Sequence, residues 1–231
     1  MITLEEFATL PEVIERIFTS PEFGKILQKT IAQVEKHRRE MGFTIAQEIE
    51  TGTSHYSRPI GGGNENKTAI NVSLEELERK LRSKHLKKAD WFFLSDLHFH
   101  GYESRETQET VICPSSQDMF MTAAIRSINA ENTGMNIPSI DIIANRVAKT
   151  DAEMLVYQEP LNYMPLDNDA IFDEIQATFE EFLYSPPSQR EVLGALKHYD
   201  YKAKILNFID GRFQEEDITF IRSLGSVFSR E

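Results

Sequence analysis

Residues 91–100, WFFLSDLHFH, pass from an unbroken apolar run into an alternation of polar and apolar side chains. Four consecutive apolar residues followed by alternation mark a buried strand that emerges at a polar end. Residues two apart on a strand project from one face, so His98 and His100 aim their imidazoles at one point, with Asp96 on the same side. That spacing supplies half of a zinc site. It equally suits two histidines that pack at a strand end or face solvent, and the pair alone does not separate these readings.

Outward from this strand the chain alternates between helix and strand. Downstream, Pro114-Ser115-Ser116-Gln117-Asp118 opens a helix that runs from Met119 to about Asn129. Ser115-x-x-Asp118 is a capping box, and Asp118 suits the positive end of the helix dipole. Strand-like runs follow at Ser139–Ile143 and Met154–Tyr157. Upstream, Ser20-Pro21-Glu22 is a helix start, and Ile26, Ile31 and Val34 form a stripe running to about Glu40. Phe43–Tyr56 reads as one or two strands broken near Gly52, Thr68–Val72 as a short strand, and Ser73-Leu74-Glu75-Glu76 as a capping box opening a further helix. The glycines at 61–63 precede no helix and match no phosphate-cradling spacing. From Leu161 onward the pattern is helical throughout, with Asp169–Tyr184 broken by Pro186-Pro187 and two shorter helices after it. The predicted organisation is mixed α/β over 1–160 and a C-terminal helical extension over 161–231.

Composition narrows the function. The 231 residues, 40% hydrophobic, can bury a sizeable core. Lys and Arg total 25 against 37 Asp and Glu, and the net charge of -12 repels a phosphate backbone, so no nucleic acid is expected as a partner. No segment reaches the ~18 consecutive apolar residues of a membrane span, and the first residues, MITLEEFATLPEVIERIF, lack the basic start and apolar run of a signal peptide. The expectation is a soluble cytoplasmic protein with no membrane partner. Cys113 is the one cysteine, which excludes an internal disulfide and any Cys-rich zinc module; a metal site here must use His and carboxylate. His55, His85 and His198 have no partner at metal spacing.

In chain order, an upstream glutamate, His98-x-His100 and Ser115-x-x-Asp118 resemble the JAMM motif of the MPN+ (JAB domain) zinc metalloprotease family. The resemblance spans roughly Ser20 to Tyr157. It implies an MPN/JAB-like core over residues 1–160, a mixed β-sheet flanked by helices, with zinc held by His98, His100 and Asp118. Glu50, in Glu50-Thr51-Gly52, occupies the place of the family's glutamate and is the expected general base; Glu48, two residues earlier on the same strand face, competes with it. Ser115 is expected to hydrogen-bond the developing oxyanion. The implied activity is hydrolysis of a peptide or isopeptide bond by a metal-activated water, on a protein or peptide substrate that includes a ubiquitin-like protein as one option. Two departures stand out: Gly101 follows the H-x-H where the family usually has proline, and 14 residues separate His100 from Ser115, a longer loop than usual.

The residues make chemical sense in these roles. Two neutral imidazoles and one carboxylate leave zinc a fourth position for water, which the metal acidifies. Two other readings compete. Asp96-x-His98 is similar to the opening of calcineurin-like metallophosphoesterases, yet nothing after His100 matches their later motifs. A non-catalytic MPN-type scaffold shares the expected fold without the chemistry. Asp96 is read as a residue behind the ligands or an inert strand-end acid. The polar loop from Gly101 to Cys113, tied at both ends to the site, is expected to lie over its entrance and gate a substrate.

Overall fold

The computed structural model describes residues 10–37, 39–61, 69–99, 112–137, 139–147, 150–160, 169–185 and 187–225. His100 and residues 101–111 of the loop that follows it lie outside the described residues, as does the first part of the glycine-rich stretch's continuation, 62–68. Among the described residues two helices come first, α1 (Leu10–Phe18) and α2 (Pro21–His37), followed by β1 (Met41–Glu48), β2 (Ser54–Tyr56) and β3 (Ile60–Gly61). Helix α3 (Ala69–Ser83) and a single 3-10 turn lead into β4 (Trp91–Phe99). Then come α4 (Ser116–Thr133), β5 (Ile140–Arg146), β6 (Ala152–Gln158), α5 (Asp169–Tyr184), α6 (Gln189–His198), β7 (Lys202–Ile209), β8 (Arg212–Phe213) and α7 (Glu215–Gly225).

The strands form one mixed sheet in the order β2-β1-β4-β5-β6-β7-β8, with β3 also paired to β1. Every pairing is antiparallel except β4 with β5, which are parallel and joined through α4. Helices cover both faces. On one, Ile14 and Ile17 of α1, Phe23, Leu27 and Ile31 of α2 and Ile221 and Leu224 of α7 pack on Phe43, Leu97, Ile142, Val156 and Phe208. On the other, Leu77 and Leu81 of α3 with Ile125 of α4 cover Ala46, Trp91 and Phe93. Further along that face, Met119 of α4, Ile175 and Phe179 of α5 and Val192 and Leu196 of α6 cover Ile143, Leu155 and Tyr157.

A β-bulge decides which face β4 offers to which helices. Ile45 pairs with Ser95 and Ala46 with Phe93, so Leu94 is passed over. Without the extra residue, strict alternation would set Asp96 and His98 on the side of Phe92 and Leu94, in the core under α1 and α2. With it, Phe92, Leu94, Leu97 and Phe99 all join that core. Trp91 and Phe93 turn to the opposite face. Asp96 and His98 follow them, towards α4.

Two expectations differ from the structure. The segment after residue 160 is not helix alone: β7 pairs with β6 through seven consecutive register positions, Ala152↔Phe208 to Gln158↔Lys202. Its sequence, KAKILNFI, alternates with period two. Leu206 and Phe208 enter the α1/α2 core, and Ala203 and Ile205 pack against the other one. Residues on both sides of 160 therefore build the same sheet, and the division into a 1–160 core and a 161–231 extension does not follow its construction. The strand expected at Thr68–Val72 is, from Ala69, the first turn of α3. Ser73 does not cap that helix but lies buried inside it, sharing a hydrogen bond with the Thr44 hydroxyl of β1.

Candidate metal centre

The N-terminus of α4 is aimed at the end of β4. Ser115 is the N-cap, in extended backbone, and forms a full capping box with Asp118. Asp118 N–H donates to Ser115 Oγ (3.2 Å), while the Ser115 backbone N–H (2.7 Å) and hydroxyl (2.8 Å) both donate to Asp118 Oδ2. One carboxylate oxygen is thereby committed to the cap. The other, Oδ1, lies 3.2 Å from His98 Nε2. On the far side of the same imidazole, Nδ1 stands 3.4 Å from Asp96 Oδ2. His98 thus sits between two carboxylates, one on each ring nitrogen, and is 2% exposed.

Burial disfavours charge on His98, but the Asp118 and Asp96 carboxylates outweigh it and hold the imidazolium up to a pKa of about 10. His98 pairs with Gly42 on one side and with Ile143 on the other. A β-carbon at Gly42 would stand 2.9 Å from His98 Cβ, so only glycine lets β1 approach β4 here.

A polar row crosses the sheet one step from His98. Thr44, Asp96, Asp141 and Tyr157 are successive register partners on β1, β4, β5 and β6, and all are buried. Ser139 Oγ donates to Asp141 Oδ2 at 3.1 Å. Burial and then the neighbouring Asp96 charge raise the Asp141 carboxyl well above the usual range. The Tyr157 phenol is likewise raised, by burial first and then by Asp141, Asp118 and Asp96. Cys113, half-buried, is pushed up to about 12 by burial and the Asp118 charge, so its thiol is unreactive at neutral pH.

The glutamates fall at opposite ends of β1. Glu48 pairs with Trp91 and lies six residues along β1 from Gly42, the partner of His98, which at ~3.3 Å per residue sets it about 20 Å away along the strands. Glu50 lies beyond it, exposed in the turn closed by Gly52 N–H donating to Glu48 O. Neither is brought to His98, and Glu48 is engaged with His55 at 3.2 Å. Glu40, overlooked in the sequence, immediately precedes Met41, whose register partner is Phe99; it therefore stands at the His98 end of the pair, half-buried. The available signal was Glu40-x-Gly42 at the start of the strand, since that glycine is where β1 closes on His98. Ser115 lies beside the site, with its hydroxyl directed to Asp118.

The structure thus brings together His98, Asp118 and Ser115 and leaves Glu50 apart. Among the described residues no three His, Cys, Asp or Glu side chains converge to hold a metal ion, and His100, the third expected ligand, is outside them. No helix among the described residues is long and apolar enough to cross a membrane. No protein-family model matches the chain, and no curated protein is significantly similar to it.

Proposed function

We propose that this chain is a zinc-dependent hydrolase of peptide or isopeptide bonds, with His98, His100 and Asp118 as metal ligands and Glu40, in place of Glu50, as general base. The observation that carries it is the approach of His98 Nε2 and Asp118 Oδ1 to 3.2 Å. Two ligands each ~2.0–2.1 Å from a tetrahedral ion are roughly 3.3 Å apart, so the pair already has the spacing of two corners of a zinc site. Charge supports the same reading. Two carboxylates flank one buried imidazole. A divalent ion at Nε2 would replace the imidazole's proton and balance both acids.

The position of Asp96 favours this over a phosphoesterase. Asp96 meets Nδ1, the ring nitrogen facing away from Asp118, so it cannot share an ion bound at Nε2. It is suited to fix the tautomer and ring orientation of His98 instead. When bound, zinc supplies Lewis acidity, lowering the pKa of a water and offsetting charge on a carbonyl oxygen. Glu40 would take the proton of the attacking water and return it to the leaving amine. Ser115 holds Asp118 Oδ2, while Oδ1 is the oxygen that faces His98 Nε2.

Cleavage of a ubiquitin-like protein joined to lysine, and of a peptide, tests the reading together with the two glutamates. Glu40→Gln should retain zinc and lose turnover, while Glu50→Gln keeps both. A zinc-loaded wild-type protein that cleaves neither substrate contradicts the hydrolase; an active Glu40→Gln contradicts the base.

A further inference from the structure

We infer that Lys84 is a self-acylation site, its side-chain nitrogen taking an acyl group from an acyl phosphate with His55 as general base. The cluster lies at the far end of β1 from His98 and is independent of the metal reading. His55 of β2 is 6% exposed and stands between two charged side chains. Its Nε2 is 3.2 Å from Glu48 Oε2, and its Nδ1 is 3.4 Å from Lys84 Nζ. An ammonium only donates, so Nδ1 accepts, and the ring proton is on Nε2, where it is donated to Glu48. That is the order of a nucleophile, a base and a carboxylate that orients the base. Lys84 is exposed, one residue past the end of α3, so a reagent reaches it from solvent while the imidazole behind it is shielded.

The surrounding surface selects the reagent. Residues 79–88 carry six of the chain's 25 Lys and Arg, all exposed and with no acid among them, in a chain of net charge -12. Lys80 Nζ donates to Tyr56 O at 2.8 Å, next to His55, which sets a second ammonium beside Lys84. Glu78, just before the stretch, pairs with Arg82 and Lys88. Such a surface concentrates a small dianion, and phosphate on an acyl carbon is also the leaving group. In the step, a bond forms from Lys84 Nζ to the acyl carbon and the C–O bond to phosphate breaks. His55 Nδ1 takes a proton from the nitrogen, and Glu48 balances the imidazolium. Of the two protons that the ammonium loses, one leaves with phosphate and one passes to water. The products are an amide on Lys84 and inorganic phosphate.

Acetyl phosphate is the probe, and acetyl occupancy at each lysine of the folded full chain is followed in time by peptide mass spectrometry. Lys84 should react at least about tenfold faster than Lys87 and Lys88, its neighbours in the basic stretch, a small part of the roughly 100- to 10,000-fold that a positioned base supplies. Inorganic phosphate should slow it by competing for the cationic surface. His55→Gln keeps an acceptor for Lys84 and a donor for Glu48 but is no base. It should bring Lys84 down to the rate of Lys87 and Lys88, whose own rates hold. A wild-type Lys84 no faster than these neighbours, no slowing by phosphate, or a folded His55→Gln that reacts at the wild-type rate each overturns the inference.

Discussion

Gly42 lies across from His98 so closely that a β-carbon on it would stand 2.6 Å from the Leu97 carbonyl oxygen. Backbone and a buried side chain line that contact, so neither can yield cheaply. Gly42→Ala should therefore destabilise the protein by about 1–3 kcal/mol, the cost of overpacking a tight site, and shift His98. Gly194, exposed within α6 with nothing within 4 Å of an added β-carbon, is the control; Gly194→Ala should stabilise by about 0.5–1 kcal/mol. Urea unfolding of both variants checks this, and equal effects of the same sign would contradict it.

Ser115 serves α4 and Asp118 together. Ser115→Ala removes the N-cap, at about 1 kcal/mol, and one of two hydrogen bonds to Asp118 Oδ2. Ser188 caps α6 through the same box with Glu191, away from the site, so Ser188→Ala should cost similar stability. Zinc titration separates the two serines: affinity should fall for Ser115→Ala and hold for Ser188→Ala. Equal affinities would reduce Ser115 to a helix cap.

Much of this arrangement was legible in the residues, and the rest was hidden for physical reasons. Ser115-x-x-Asp118 reads as a capping box because the motif is local and its hydrogen bonds close within one helical turn. The run at 91–100 reads as a strand by its apolar content, but no local signal announces that Leu94 is bulged out, so the face on which Asp96 and His98 emerge is a tertiary outcome. The separation of Glu50 from His98 was hidden for a related reason. Which end of β1 meets His98 depends on its antiparallel pairing with β4, where Gly42 rather than Glu48 is the partner. Residues 202–209 alternate as strands do, yet stand among helices, and their place in the sheet comes from pairing with β6 fifty residues earlier in sequence.

Glu159 is buried against Arg126, its Oε2 3.4 Å from the guanidinium. Burial raises its carboxyl from 4.5 to about 7 despite the arginine. The folded protein therefore holds an extra proton between those values, and stability should fall as pH rises from 4.5 to about 7, by about 3 kcal/mol at about 1.36 kcal/mol per pH unit. Glu159→Gln should lack this component, so the stability difference between wild type and variant should slope across that window and flatten above it. Parallel curves for the two proteins would contradict the assignment.

The zinc content of the purified protein tests the central claim most directly, measured by elemental analysis on wild type, His98→Ala and Asp118→Ala, each checked as folded by circular dichroism. His98 holds its proton up to about 10 without metal, so loading is done at alkaline rather than acid pH, where the imidazole is freed more readily. The account predicts one zinc per wild-type chain and none retained by either variant. A wild-type protein that binds no zinc, or folded variants that both keep a full complement, would contradict it.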